Sequence, residues 1–411
     1  MSLSGLLRVI DADPDLQQAL EQAAQLPALG GDLIAPAALR PLLVAALTGA
    51  AGAGAPGEAA GTDQSPASFV LAVTATAREA EELTAALGSL LGEASVGYFP
   101  AWETLPHERL SPRSDTSGQR LALLRRLAHP DPSDPRSGPL RVVATPVRSL
   151  LQPMVSGLGE LAPVRLAAGQ QASLDQTVAH LVEIGYARVE LVERRGEIAV
   201  RGGLLDVFPP TEEHPLRIEF WGDEVEEIRY FRAADQRSLA TAEDGLWAPP
   251  CRELLLTPSV RERARQLASE WPGLGDILAK MAEGITVEGM EALAPALTDK
   301  MELLLSYLPA GAKIVACDPE RIRARAADLV WTSQEFLEAS WVSAAAGGQV
   351  PIDLARPRSA PSPRSATRPP SWPCRGGRSR RSPPPATRPL LRRGTGPARP
   401  TPPTTGRPRS G

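Results

Sequence analysis

The spacing of hydrophobic positions changes several times along the chain, and each change marks an element. Residues 69–74 (FVLAVT) form a continuous apolar run, the pattern of a strand buried on both faces. Residues 77–91 instead repeat apolar side chains every three to four positions and predict a helix. Strands at 96–99 and 140–144, with a helix at 117–127 between them, continue an alternation that implies a parallel α/β sheet. Upstream, 13–26 predicts a helix with Asp13 as N-cap and Pro14 at its first position, 32–35 a short strand and 39–47 a second helix. The small-residue stretch 50–66 (AAGAGAPGEAAGTDQSP) has no period and predicts a flexible surface linker.

Beyond Met154 the rhythm shortens. A helix at 174–184 is followed by close-set strands at 189–192, 198–201, 204–208, 216–221 and 225–231, with Gly222 and Asp223 placed for a tight hairpin turn. From about 241 the longer rhythm returns: a strand at 253–257, helices between 260 and 305, a strand at 313–317 and a helix from Pro319 towards Trp341. The chain therefore reads as an α/β domain in two segments, 1–152 and 241–345, with an α+β domain inserted at 153–240.

Within the insert, strand alternation in 216–221 (LRIEFW) puts Leu216, Ile218 and Phe220 on one face and Arg217, Glu219 and Trp221 on the other. Tryptophan beside arginine on the more polar face suits a protein-binding hot spot. The alternative is a sheet covered on both faces, with Trp221 in the core.

Charge alters this picture at one end. The 411 residues hold 48 acidic and 44 basic side chains, but residues 356–411 contain 14 Arg, 15 Pro and no Lys, Asp or Glu, which leaves a net of −18 on residues 1–355. So acidic a body is a poor platform for duplex DNA, whose binding rests on cations neutralising phosphates. Three lysines against 41 arginines indicate GC-rich codons, and the tail at 346–411 reads as disordered, Arg/Pro-rich, out-of-frame translation of such a gene. The rival reading is a genuine basic arm for nucleic acid; neither builds a core. No window approaches 18 consecutive apolar residues, and the first residues lack the pattern of a signal peptide, so a cytoplasmic protein without a membrane span is expected.

Motifs for catalysis are weak. Cys251, Cys317 and Cys374 form no CxxC pair and the four histidines are dispersed, so no metal site is expected. Gly52, Gly54 and Gly57 spell GxGxxG, but no strand precedes them and Pro56 interrupts the motif. None of the three lysines follows a glycine, so the phosphate-gripping lysine of a P-loop is missing and neither catalytic nor cofactor-binding residues are assigned. The run Asp223, Glu224, Glu226, Glu227 reads as a solvated strand edge.

Two passages carry a resemblance. Residues 99–121 (FPAWETLPHERLSPRSDTSGQRL) and 196–231 (GEIAVRGGLLDVFPPTEEHPLRIEFWGDEVEEIRYF) resemble the N-terminal region of the bacterial transcription-repair coupling factors, a family itself similar to UvrB. The resemblance runs from about Leu7 to Trp341. It implies a degenerate helicase-like α/β domain interrupted by a UvrA-interaction domain, with UvrA as partner and Arg201, Arg217 and Trp221 as the contact positions. It also implies that the nucleotide elements have decayed, since 33–43 holds no lysine and Cys317-Asp318 stands where an Asp-Glu pair belongs. In the full-length family ATP serves a translocase motor, and RNA polymerase and DNA are reached through further domains. The reading is thus a truncated coupling factor that recruits UvrA and is not itself an enzyme; a UvrB-like ATP-dependent helicase subunit and a nucleic-acid binder acting through the tail are the alternatives.

Overall fold

The computed structural model describes residues 4–6, 13–14, 17–18, 31–49, 68–105 and 108–345. The expected linker at 50–66, the GxGxxG glycines, most of the helix at 13–26 and the tail lie outside them.

The first segment contains α1 (Arg40–Leu47), β1 (Val70–Thr74), α2 (Ala77–Leu91), β2 (Val96–Tyr98), α3 (Ser114–Ala128), β3 (Val142–Pro146), the single turn α4 (Val147–Leu150) and β4 (Met154–Val155). Next come β5 (Val164–Leu166), α5 (Leu174–Glu183), β6 (Ala187–Arg188), β7 (Glu197–Arg201), β8 (Leu204–Val207), β9 (Leu216–Trp221), β10 (Glu224–Phe231), β11 (Ser238–Thr241) and β12 (Leu246–Ala248). The last part holds α6 (Pro258–Glu270), α7 (Gly275–Ala282), α8 (Ala294–Leu297), β13 (Met301–Glu302), β14 (Lys313–Ala316) and α9 (Pro319–Ala345).

Strands from both ends of the chain build one parallel sheet, in the order β14-β1-β3-β2. Its central strand explains the unbroken apolar run. Val70 and Ala72 face α1 and α2 through Val44, Leu83 and Leu87, while Leu71 and Val73 face α3 through Leu121 and Leu124, with Ile322, Ala326 and Leu329 of α9 packed on the same cluster. The start of α2 is fixed by a capping box: Thr76 Oγ1 accepts from the Glu79 backbone N–H and the Glu79 carboxylate accepts from that of Thr76.

The intervening α+β unit has a six-stranded sheet, β11-β10-β9-β8-β7-β6, antiparallel except for β6 with β7. One face buries Ile198, Leu205, Leu216, Ile218, Phe220 and Ile228 against Leu181, Ile184 and Tyr186 of α5 and the turn after it. Antiparallel pairing of β5 with β12 brings the beginning and end of this unit side by side.

Trp102 clasps the chain on both sides of the unit. Its backbone N–H donates to Gln152 Oε1 (2.9 Å), just before the unit, and its indole Nε1 donates to Glu253 Oε1 (2.8 Å), just after it. The same carboxylate receives Nε and Nη2 of Arg120 from α3 (2.6 and 3.3 Å), whose Nη1 donates to the Pro100 carbonyl (2.8 Å) beneath the ring of Phe99. Arg120 is fully buried and Glu253 is 2% exposed. Close by, Gly118 lies so near Pro210 that an added Cβ would sit 2.1 Å from the proline ring, so α3 and the unit touch where only glycine fits.

Four local expectations are corrected. Residues 32–35 run as exposed coil, and 253–257 lead without a ladder into the Thr257 cap of α6, because neither stretch has a neighbouring strand to pair with. The strand expected at 189–192 is displaced to 187–188: the Glu197 carboxylate accepts from the N–H groups of Glu193 and Arg194 and turns the backbone there. Finally, the acidic run is not an edge. β10 is paired on both sides, with β9 and β11, and its bulged start takes the N–H of Gly169 on Val225 O, so these glutamates are solvated from the sheet face. No helix among the described residues is long and apolar enough to cross a membrane.

Removing one member of a buried ion pair strands the other charge. Arg120→Ala is therefore expected to cost about 3–5 kcal/mol in urea unfolding, and the apolar double replacement Arg120→Met with Glu253→Leu to recover most of that loss.

Candidate protein-docking site

The outer face of the six-stranded sheet is set by the same alternation that builds its core. In β9, Leu216, Ile218 and Phe220 are buried, while Arg217, Glu219 and Trp221 point the other way. Cross-strand register extends this face over three neighbours: Arg201, Leu204, Glu219 and Glu227 form one row, and Ala199, Asp206, Arg217 and Arg229 form the next. Two tight turns frame it. Gly202 (φ +61) and Gly222 (φ +64) adopt the left-handed region that two-residue hairpins need, and a Cβ on Gly203 would meet the Phe220 carbonyl at 2.8 Å.

This face is divided. At one end Val192, Ala199, Phe208 and Phe231 make a small second core, covered by the loop around Val189 and the turn at Ala233. At the other end Arg201 and Trp221 stand open, with Trp221 80% exposed. Hence Trp221 is a surface residue and not a core one.

Arg217 lies at the boundary. Its Nε and Nη2 donate to the two oxygens of Asp206 (2.7 and 2.8 Å), a bidentate pair in which Asp206 is 3% exposed, and its guanidinium stacks over Phe231 at 4.6 Å. The hydrogen bond to Asp206 raises the Arg217 pKa above its ordinary value, with burial opposing it. Arg201 is looser: Nη2 donates to the Glu190 carbonyl at 3.2 Å and the side chain is exposed. The structure thus brings Arg201 and Trp221 to one end of one face, on strands separated by β8, and sets Arg217 about 13 Å from Trp221 along β9 at the usual rise per residue. Sequence reasoning did not single out Asp206, although an acid between apolar residues in a strand is a signal for a buried cationic partner.

The stretches that the resemblance sets against nucleotide elements are also described. Residues 31–36 are exposed coil ahead of α1. Cys317 is buried after β14, where desolvation pushes its thiol pKa up to about 11. Asp318 takes a left-handed conformation (φ +71), and Arg321 links it to Glu79 at 3.9 and 2.5 Å. Among the described residues no group of three or more His, Cys, Asp or Glu side chains could hold a metal ion.

Comparison with known proteins shows what this part of the chain is similar to. Residues 164–249 match the UvrB interaction domain. Over 366 residues the chain is 49% identical to the transcription-repair-coupling factor of Mycobacterium bovis, covering 86% of this chain and 28% of that protein. Against the corresponding factor of Escherichia coli (strain K12) the identity is 31% over 224 residues, covering 52% and 18%. UvrABC system protein B of Streptococcus agalactiae serotype Ia is 41% identical over 81 residues, covering 20% and 12%. The chain spans little more than a quarter of the length of the Mycobacterium bovis factor.

The divided face separates stability from recognition. Trp221→Ala is expected to change the unfolding free energy by less than about 0.5 kcal/mol. Arg217→Ala, which leaves the Asp206 carboxylate buried without its partner, is expected to cost about 2–3 kcal/mol. Urea titrations of the two variants check both values.

Proposed function

We propose that this chain, a relative of the bacterial transcription-repair-coupling factors through their N-terminal region, is a recruitment module that docks UvrA on the outer face of β7–β9. The observation that carries this reading is Trp221, a large apolar ring held 80% exposed at the end of a rigid strand, beside Arg201, inside the matched domain. Such a ring gains most from a partner that takes it out of water, and arginine beside it supplies orientation through an opposing carboxylate. Arg217 contributes differently from Arg201. With Nε and Nη2 committed to Asp206, it positions β9 and offers Nη1 to the partner.

In this reading residues 1–152 and 241–345 form the two segments of one UvrB-like α/β domain, 153–240 form the UvrA-interaction domain, and 346–411 are an appended tail. The α/β domain serves as scaffold and not as an ATPase: no lysine lies in 33–43, and Asp318 is engaged by Arg321. ATP-driven translocation and the contacts with RNA polymerase and DNA are assigned to the parts of these relatives beyond the matched region.

Titrating the full chain against UvrA tests the docking. Saturable binding is expected, weakened at least about 30-fold by Trp221→Ala, as a hot-spot residue requires, and strongly weakened by Arg201→Glu. No binding, or variants that bind like the parent, would overturn the assignment. DNA-stimulated ATP hydrolysis by the chain would instead favour a UvrB-like helicase subunit.

A further inference from the structure

Gln236, in the turn that follows β10, holds a left-handed backbone (φ +59), which among the described residues other than glycine only Asp318 shares. Side chains are disfavoured in that region, where glycine or asparagine is the usual occupant. The turn itself does not call for glutamine. It is closed by backbone bonds, from the Gln236 N–H to the Arg232 carbonyl (2.8 Å) and from the Arg232 N–H to the Arg237 carbonyl (2.9 Å). What glutamine adds is its amide. Oε1 accepts from Arg217 Nη2 (3.4 Å), and Nε2 donates to the carbonyls of Ala233 (2.9 Å) and Val192 (3.3 Å). An unfavourable backbone kept in place by a fully engaged side chain points to work done by that side chain.

The bond to Val192 reaches a loop with little else to fix it. Residues 190–192 lie between β6 and β7 and join no ladder. Among the described residues they take part in two hydrogen bonds, and both are accepted from side chains outside the loop. One is the bond from Gln236 to the Val192 carbonyl; the other is the bond from Arg201 Nη2 to the Glu190 carbonyl. Val192 is buried in the small second core beside Phe231, whereas Glu190 and Leu191 are exposed. On either side the loop is firm again, at Val189 through the Ile198 carbonyl and at Glu193 and Arg194 through the Glu197 carboxylate. The carbonyl that holds Arg201 is therefore two residues from the one that Gln236 fastens, and Gln236 is itself fastened to Arg217 and its Asp206 pair.

We propose that Gln236 is a positioning residue for the docking face: it locks the 190–192 loop to Arg217 and so sets where Glu190 holds the guanidinium of Arg201. The proposal rests on the reading of this face as the surface that docks UvrA. It links the closed end of the face, at Arg217, to the open end, at Arg201.

Gln236→Gly tests it, because glycine accepts φ +59 and keeps the turn while the amide is lost. In the free chain, limited trypsin digestion read by mass spectrometry should cut after Arg194 and Arg195 about fivefold faster than in the parent, with cuts elsewhere in residues 31–345 at the parent rate. Gln236→Glu, which keeps the acceptor for Arg217 but has no N–H for Val192, should loosen the loop in the same way. In titrations with UvrA, Gln236→Gly should weaken binding by about 3- to 10-fold, and should add nothing in an Arg201→Ala background, a non-additivity that a general loss of stability would not produce. Unchanged cleavage after Arg194 and Arg195 in either variant would overturn the lock. The same loss of UvrA binding with and without Arg201 would show that the glutamine does not act through that arginine and would equally overturn the proposal. A parent chain that does not bind UvrA would refute the docking reading by itself, and the digestion would still decide whether Gln236 holds the loop.

Discussion

The buried Arg120–Glu253 pair is the interaction on which the placing of the candidate docking face most depends. Taking both charges out of water costs several kcal/mol per ion, and the cost is offset only because nearly every valence is used. Glu253 receives two guanidinium donors and the Trp102 indole; the remaining guanidinium amine meets the Pro100 carbonyl, and the Phe99 ring lies 4.4 Å away. These groups come from the stretch after β2, from α3 and from the first residues after the antiparallel unit. Trp102 also holds Gln152 on the entering side. A unit inserted into another fold can swing on its two connections, but here both are gripped by one residue of the host. The contact between Gly118 and Pro210 then removes the space in which the unit could rock.

A rigid base makes the division of the outer face meaningful. One end is closed by Val192, Phe208 and Phe231, so Arg217 is drawn over an aromatic ring and fastened to Asp206. The other end, beyond Leu204 and Glu219, has nothing above it among the described residues. Preorganisation of this kind reduces the ordering cost of association, because the strand that carries Trp221 is already paired with β8 on one side and β10 on the other. It also gives the arginines different work, although the sequence presents them as equivalents. Arg201 is a side chain in water with one carbonyl contact, whereas Arg217 belongs to the sheet.

Much of this was legible from residue order. The unbroken apolar run of β1, the helical spacing of α2 and the alternation in β9 each reflect a local periodicity that the folded chain preserves. The resemblance carried by residues 99–121 and 196–231 added the family, and the comparisons agree with it. What escaped the reading was non-local. An apolar triplet such as Leu254–Leu256 resembles a strand until one knows that no ladder lies beside it, and the loop at 189–195 depends on a carboxylate further along the chain, at Glu197. Glu253 passed unnoticed because its partner is 133 residues away. Asp206 passed for a similar reason: its bidentate arginine is a cross-strand neighbour, visible only once the register of β8 with β9 is set.

The central claim is that a clasped, rigid unit offers one open end of one sheet face to UvrA. Hydrogen–deuterium exchange of the full chain with and without UvrA addresses it most directly. The account predicts added protection confined to the turns and strand ends around residues 201–204 and 219–224, with β1, β14 and the residues around Trp102 unchanged. Protection centred on the parallel sheet, or loosening at Trp102 and Glu253 when UvrA binds, would contradict it.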